Sequence, residues 1–326
     1  RGDQRITRNA LSHWIIPSGE CFKCRSRNRS DSDSPGAEAV SPAAGMALMV
    51  LAMTLIPVMD GIAKLLSARY PTFEIVWARY FFHFVLLLPL VLHRYGAGAF
   101  KLQRPGLQLF RGSLLMVSTA CFFGAIATIP LADTLAIVFV YPFIVTALAP
   151  WFLGERVGAW RWGAVAVGFI GALIVIRPGF QVLSPAMLMA LAAGSIYAVY
   201  VLVTRKMAGS DPPLKTLLMT GVVGTVVMTL LLPFVWITPT LPDLMMMASL
   251  GILAAAGHYM IIVAHEWASA PQLAPFGYVE MVSATIVGYL LFGDLPAAIT
   301  WLGIIIIVFS GIVIAWREGS VARRAR

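Results

Sequence analysis

The sequence predicts an all-α polytopic membrane protein of about ten transmembrane helices, arranged as two inverted five-helix repeats. Three observations carry this. Hydrophobic residues make up 59% of the 326 residues and charged residues only 12%, about half the charged share of a soluble domain, with a mean hydropathy of +0.83. The apolar residues gather into ten runs between Ala43 and Trp316, each near the ~20 residues a helix needs to cross a bilayer core. The chain also matches itself at a shift of roughly 140 positions. Phe152-Leu153-Gly154-Glu155 falls on Leu291-Phe292-Gly293-Asp294, Trp162 on Trp301, and Gly171–Arg177 on Gly311–Arg317. An odd number of spans per repeat makes the second copy enter the bilayer in the opposite sense, a recurrent plan among proteins with a mid-membrane site.

In chain order, residues 1–42 are rich in Ser, Arg and Asp and too polar for a core, so a disordered cytoplasmic tail is expected. Trp14-Ile15-Ile16 is too short for the apolar region of a cleavable signal peptide. Cys21 and Cys24 form a lone CxxC with only His13 nearby, which is too few ligands for zinc, so neither metal nor cofactor is expected. The first repeat, 43–178, has spans near 43–66, 72–93, 107–129, 131–153 and 158–177. The second, 184–317, has spans near 184–206, 214–237, 243–265, 271–293 and 296–316, and the count falls to nine if Pro233 breaks its segment. A basic cytoplasmic tail, 318–326, follows.

The net charge of +9 reads as a topology signal and implies no nucleic-acid partner. Seven basic residues precede the first span and twelve more fall in the even-numbered loops and the C-terminal tail. The other side has only Lys64, Arg69 and Arg177, so both termini are expected in the cytoplasm.

Ionisable groups at membrane depth cost about 2.5–3.5 kcal/mol each on insertion scales and face a cavity or a partner. Asp60 and Lys64 lie four residues apart on one face of the first span and can pair. Glu74 sits near the outer surface, Arg79 roughly 10 Å deeper, and Asp133 just below the outer end of the fourth span. These five form either a structural ion-pair lattice or an outer gate, with Arg79 the strongest functional candidate. Arg111 lies one turn from the inner face and can snorkel. Glu280 stands without a basic neighbour in sequence, about 13 Å into the ninth span at 1.5 Å per residue. Pro271, Pro275 and Gly277 break the helix around it, and Tyr141-Pro142 interrupts the fourth span at a matching depth. Broken segments at corresponding places of two repeats point to a substrate site, which makes Glu280, Tyr141 and Tyr278 the best cavity residues. Trp77, Tyr80, Tyr197, Tyr200 and His258 are either further cavity residues or packing. Gly154, Gly158, Gly163, Gly168 and Gly171 allow close helix approach, within the protomer or, alternatively, across a homodimer.

With Phe-Leu-Gly-Glu at 152–155, then Trp162, Gly163, Gly168 and Gly171, and the echo Phe292-Gly293-Asp294 with Trp301, Gly303 and Gly311, the chain resembles the drug/metabolite transporter superfamily, EamA type, over roughly 43–317. The resemblance implies a ten-helix carrier with a central cavity that works by alternating access. It also implies a small-molecule substrate such as an amino acid, vitamin, nucleobase or S-adenosylmethionine-like solute, and a bacterial inner-membrane location. Asp60-Gly-Ile-Ala-Lys64 followed by Trp77-Ala-Arg79-Tyr80 is similar to the riboflavin and S-adenosylmethionine carriers of this group and adds Asp60, Arg79 and Trp77 to the expected site. The four-helix multidrug relatives use a glutamate in their first helix for proton antiport. Here that helix has Asp60 beside Lys64, so their mechanism does not carry over.

A passive channel is the main alternative, since channels also use charges and broken helices. A membrane-embedded enzyme is less well supported: the five histidines are scattered, and His265-Glu266 lacks the second histidine of a metalloprotease motif. The chain shows no phosphate-binding loop of the P-loop type.

Overall fold

The computed structural model describes residues 42–154, 158–176, 184–207, 209–268 and 270–324. The expected tail with Cys21 and Cys24, the acidic end of the first motif at Glu155, and Arg177 lie outside the described residues.

The described chain is helical throughout, without a strand. Its helices are α1 Pro42–Ser67, α2 Thr72–Tyr95, α3 Pro105–Ile126, α4 Leu131–Val138, α5 Tyr141–Leu153 and α6 Ala159–Ile176. They continue as α7 Pro185–Lys206, α8 Pro213–Leu231, α9 Leu241–Trp267, α10 Ala270–Leu273, α11 Val279–Phe292 and α12 Ala298–Arg324. Eight segments are long and apolar enough to cross a membrane by length and composition, with α4 and α5 counting as one. Shorter apolar stretches, 162–175 in α6 and 298–313 in α12, fall where the fifth and tenth spans were expected. Pro233 does not break α8: it sits in the 3₁₀ turn Leu232–Phe234 that closes the helix.

Helix ends follow local chemistry. The Ser184 hydroxyl accepts the Met187 N–H at 3.3 Å and Thr240 accepts that of Asp243 at 3.4 Å, capping α7 and α9. Proline opens α3, α7 and α8, where its missing N–H is an unpaired helix donor anyway. The Gly-acid motif has a backbone cause. Gly154 (φ 69°) and Gly293 (φ 71°) both take the left-handed conformation that ends α5 and α11.

Helices of the first half pack chiefly on those of the second. α1 lies on α9 and α11, α2 on α8 and α9, α3 on α7 and α8, and α6 on α12. Gly171 and Gly303 let α6 and α12 approach closely, each facing the other's backbone carbonyl, so Gly171 serves a contact within the protomer. Large apolar side chains face outward: Phe234 is 84% exposed, Trp151 75% and Leu290 72%. Water-soluble monomers do not carry an apolar surface on that scale, so this face belongs against lipid. The chain is a multi-pass membrane protein.

The candidate substrate cavity and the family of the chain

Both expected breaks are present. The α4–α5 segment stops at Val138, turns through Phe139-Val140 and restarts at Tyr141 with Pro142 in its first turn. The α10–α11 segment runs as α-helix to Leu273, as 3₁₀-helix over Ala274–Tyr278, and as α-helix again from Val279. Pro271 lies in α10, while Pro275 and Gly277 lie in the 3₁₀ segment. Proline has no N–H to continue the ladder, so each break interrupts the α-helix beside the cavity.

That cavity, about 510 Å³, is lined by Asp60, Arg79, Arg111, Tyr141, His258 and Glu280 among its polar residues, with Tyr197 and Tyr200 beside them. The volume suits a small organic ligand. Methionines 49, 53 and 59 form part of the apolar wall, which their unbranched side chains can reshape. Gly209 and Pro213, exposed in the α7–α8 connection, also line it, so the cavity reaches the surface there.

Each charge has distinct surroundings. Asp60, 4% exposed, interacts electrostatically with Glu280 and with Arg79. The Arg79 Nη1 donates to Thr119 Oγ1 at 3.0 Å and the guanidinium lies 4.9 Å from the Tyr80 ring centroid, while its buried Nε has no hydrogen-bond partner. Among the described residues no hydrogen bond or ion pair reaches the Glu280 carboxyl. Its field acts on Tyr141 and Tyr197. Arg111 does not snorkel. It is 6% exposed and donates from Nε to Thr204 Oγ1 (2.8 Å), from Nη1 to Thr220 Oγ1 (2.8 Å) and from Nη2 to Tyr200 Oη (2.6 Å). The Thr204 and Thr220 hydroxyls donate in turn to the Tyr200 and Thr216 carbonyls, which leaves their lone pairs for the guanidinium.

The end of the molecule opposite the α7–α8 connection is tied shut. Lys64 pairs with Asp294 at 3.0 Å and donates to the Ile129 carbonyl at 3.2 Å. Arg69 pairs with Asp243 at 2.8 Å, and Asp243 also accepts from Tyr70 Oη at 2.8 Å. Glu74 accepts the Ile237 N–H at 3.0 Å.

The expected outer cluster is therefore split. Lys64 turns to Asp294 rather than Asp60, because the α11 cap brings a carboxylate from the other half within reach. Asp60 and Arg79 point into the cavity, and Glu74 belongs to the tied end. Asp133 begins α4 and does not line the cavity. Trp77 is also absent from the lining: its indole N–H donates to Thr229 Oγ1 at 3.0 Å and its ring stacks on Phe81. Tyr278 stands behind the wall, its hydroxyl packed on Gly311 of α12. Sequence reasoning missed Asp243 entirely and misplaced Arg111. The signal for Arg111 was Thr204 and Thr220, hydroxyls on helices of the other half.

Residues 43–177 and again 184–316 match the EamA-like transporter family. The chain belongs to that family. It is, with the family, a membrane transporter and not an enzyme. It is 28% identical to an S-adenosylmethionine uptake transporter of Rickettsia bellii over 84% of this chain and 94% of that protein. It is 28% identical to a riboflavin transporter of Rhizobium johnstonii over 84% and 91%, and to a pseudopaline exporter of Pseudomonas aeruginosa over 83% and 95%. A solved crystal structure shares the fold of this EamA-like chain at a TM-score of 0.62 and 16% identity, over 87% of this chain and 99% of that one.

Proposed function

We propose that this EamA-like transporter is a secondary carrier that moves a small organic metabolite across a bacterial cytoplasmic membrane by alternating access. One observation carries the reading: a cavity flanked by two broken helices reaches the surface at the α7–α8 connection and is tied shut at the other end by Lys64–Asp294 and Arg69–Asp243. A channel needs a path through. A carrier needs one end closed while the other is open.

The halves 43–178 and 184–317 act as inverted repeats that rock about the cavity. The excess of basic residues on the side of both termini assigns the α7–α8 end to the cytoplasm, so the arrangement described is inward-open. Glu280, with Asp60, Arg79 and Tyr141 around it, engages the solute and couples its movement. S-adenosylmethionine and riboflavin, the cargo of two relatives, are the first solutes to test.

Counterflow in proteoliposomes tests the mechanism. Vesicles preloaded with excess unlabelled S-adenosylmethionine, and separately riboflavin, are expected to accumulate labelled solute transiently and saturably. Non-saturable equilibration without overshoot rejects a carrier in favour of a channel. A reporter fused after Arg326 that is active only outside the cell rejects the topology.

A further inference from the structure

The charges that line the cavity do not cancel locally. Of the three acids and two bases in the lining, Asp60 interacts with Glu280 and then with Arg79, Asp211 is held by Gln103 and Gln108, and the acid and base that act on Tyr197 are Glu280 and Arg111. They stand at opposite ends of a row of tyrosines. The Arg111 guanidinium lies 4.7 Å from the Tyr200 ring centroid. Tyr200 stacks on Tyr197 at 5.3 Å with an interplanar angle of 26°, and Tyr197 meets Tyr141 edge-on at 4.9 Å. Glu280 acts on Tyr141 and Tyr197, and Arg111 acts on Tyr197 and touches Tyr200. Tyr197 feels both charges.

The surroundings of Arg111 are built for recognition. Its three guanidinium nitrogens are each held by a neutral hydroxyl, from two different helices, and by no carboxylate. The planar fork is thereby fixed with donors still free, and its charge is left uncompensated in a desolvated place, where an anionic ligand gains most. Asp211, the third acid of the lining, is engaged by the Gln103 N–H at 3.0 Å and the Gln108 amide at 3.1 Å. Glu280, free of any hydrogen bond among the described residues, is the complementary receptor for a cation. The tyrosine faces between them suit a flat body.

We infer that the cavity takes an extended zwitterion, with its carboxylate or other anionic group on Arg111, its cationic group at Glu280, and a flat apolar portion along Tyr200, Tyr197 and Tyr141. Simple α-amino acids, whose two charges flank one carbon, cannot reach both ends of that row. This deepens the carrier reading and rests on it for the passage of the ligand, though not for its binding.

Calorimetric titration of the purified full chain tests it with four probes. These are 4-(aminomethyl)benzoate, with opposite charges across one ring, the singly charged 4-methylbenzoate and benzylamine, and glycine. The aromatic zwitterion is expected to bind about tenfold or more tighter than either singly charged probe, and glycine more weakly than all three. Arg111→Met is expected to remove the advantage over benzylamine, and Glu280→Gln the advantage over 4-methylbenzoate. Because Arg111 joins α3 to α7 and α8, its loss can impair folding. Thr220→Val and Tyr200→Phe keep the charge but loosen the fork, and each is expected to cost the zwitterion several-fold while sparing benzylamine.

Equal loss for all probes in these variants makes Arg111 a structural tie and overturns the inference, as does failure of the zwitterion to bind the wild-type chain. Counterflow of 4-(aminomethyl)benzoate separates the two readings. Exchange unchanged by Arg111→Met overturns the charge assignment and keeps the carrier. Tight, Arg111-dependent binding without exchange keeps the assignment and overturns the carrier.

Discussion

At the first break the chain leaves α-helix for two residues, Phe139 and Val140, and returns at Tyr141. At the second it passes through the 3₁₀ segment Ala274–Tyr278 before α11 begins. The first break turns a phenol toward the cavity, and the second a carboxyl. Each is backed by a glycine on a neighbouring helix: Gly168 of α6 receives the Phe143 ring, and Gly311 of α12 receives Tyr278. The backbone device is shared between the halves and the chemistry is not.

The sharpest way to break that comparison is Glu280→Gln, which keeps shape and removes the charge. Concentrative transport or solute binding is expected to fall on the order of a hundredfold while the protein still folds. In the wild type, a cationic solute should bind more tightly as rising pH ionises Glu280, against a background set by Asp60, Arg79, Tyr141, Tyr197 and His258. The variant is expected to lose that rise. Normal transport in Glu280→Gln at every pH would leave the second break without a role in coupling.

Packing behind the breaks comes next. A side chain at Gly311 meets Tyr278 and one at Gly168 meets Phe143, so Gly311→Val and Gly168→Val are each expected to cost about 1–3 kcal/mol by overpacking. Gly163→Ala, with nothing within 4 Å, is expected to be neutral or to gain up to about 1 kcal/mol of helix propensity. Thermal unfolding in detergent reads all three. A Gly311→Val protein as stable as wild type would mean that the second break is held from elsewhere.

Tyr141→Phe sharpens the contrast between phenol and carboxyl. It removes one neutral hydroxyl and is expected to weaken solute binding about twofold to tenfold, measured by the same titration. An effect equal to that of Glu280→Gln would erase the asymmetry.

The smallest effect belongs to the tied end. Lys64→Met removes a partly exposed pair worth about 0–1 kcal/mol. In a background lacking Cys21, Cys24 and Cys121, Phe139→Cys should then react up to about fivefold faster with a thiol reagent applied from the Lys64 side. No change in rate would leave Arg69–Asp243 as sufficient closure.

Eight of the ten expected spans, the Gly-acid helix ends and both breaks were legible in the sequence, because each depends on residues close together: apolar runs, a left-handed glycine, a proline without its N–H. Partnerships were not. Asp60 and Lys64 share a helix face, yet Lys64 finds Asp294, 230 positions away. Arg111 has the depth of a snorkelling residue, and only the packing of α3 on α7 and α8 supplies its hydroxyls. Trp77 lies two positions from Arg79 and so on another face of α2, which places it against Trp236 rather than the cavity. Helix periodicity says which faces exist and leaves open what they meet.

The ion pairs of the closed end join early chain to late chain, Lys64 to Asp294 and Arg69 to Asp243, as do the hydrogen bonds of Tyr70 to Asp243 and of Glu74 to Ile237. This carries a consequence for biosynthesis. While the ribosome has yet to deliver those partners, Arg69 and Glu74 wait in the nascent protein without them, and Lys64 has only the Ile129 carbonyl of the first half. Closure of this end is then among the last acts of maturation, and a chain arrested before α9 lacks Asp243 and Asp294, the acids of both ion pairs.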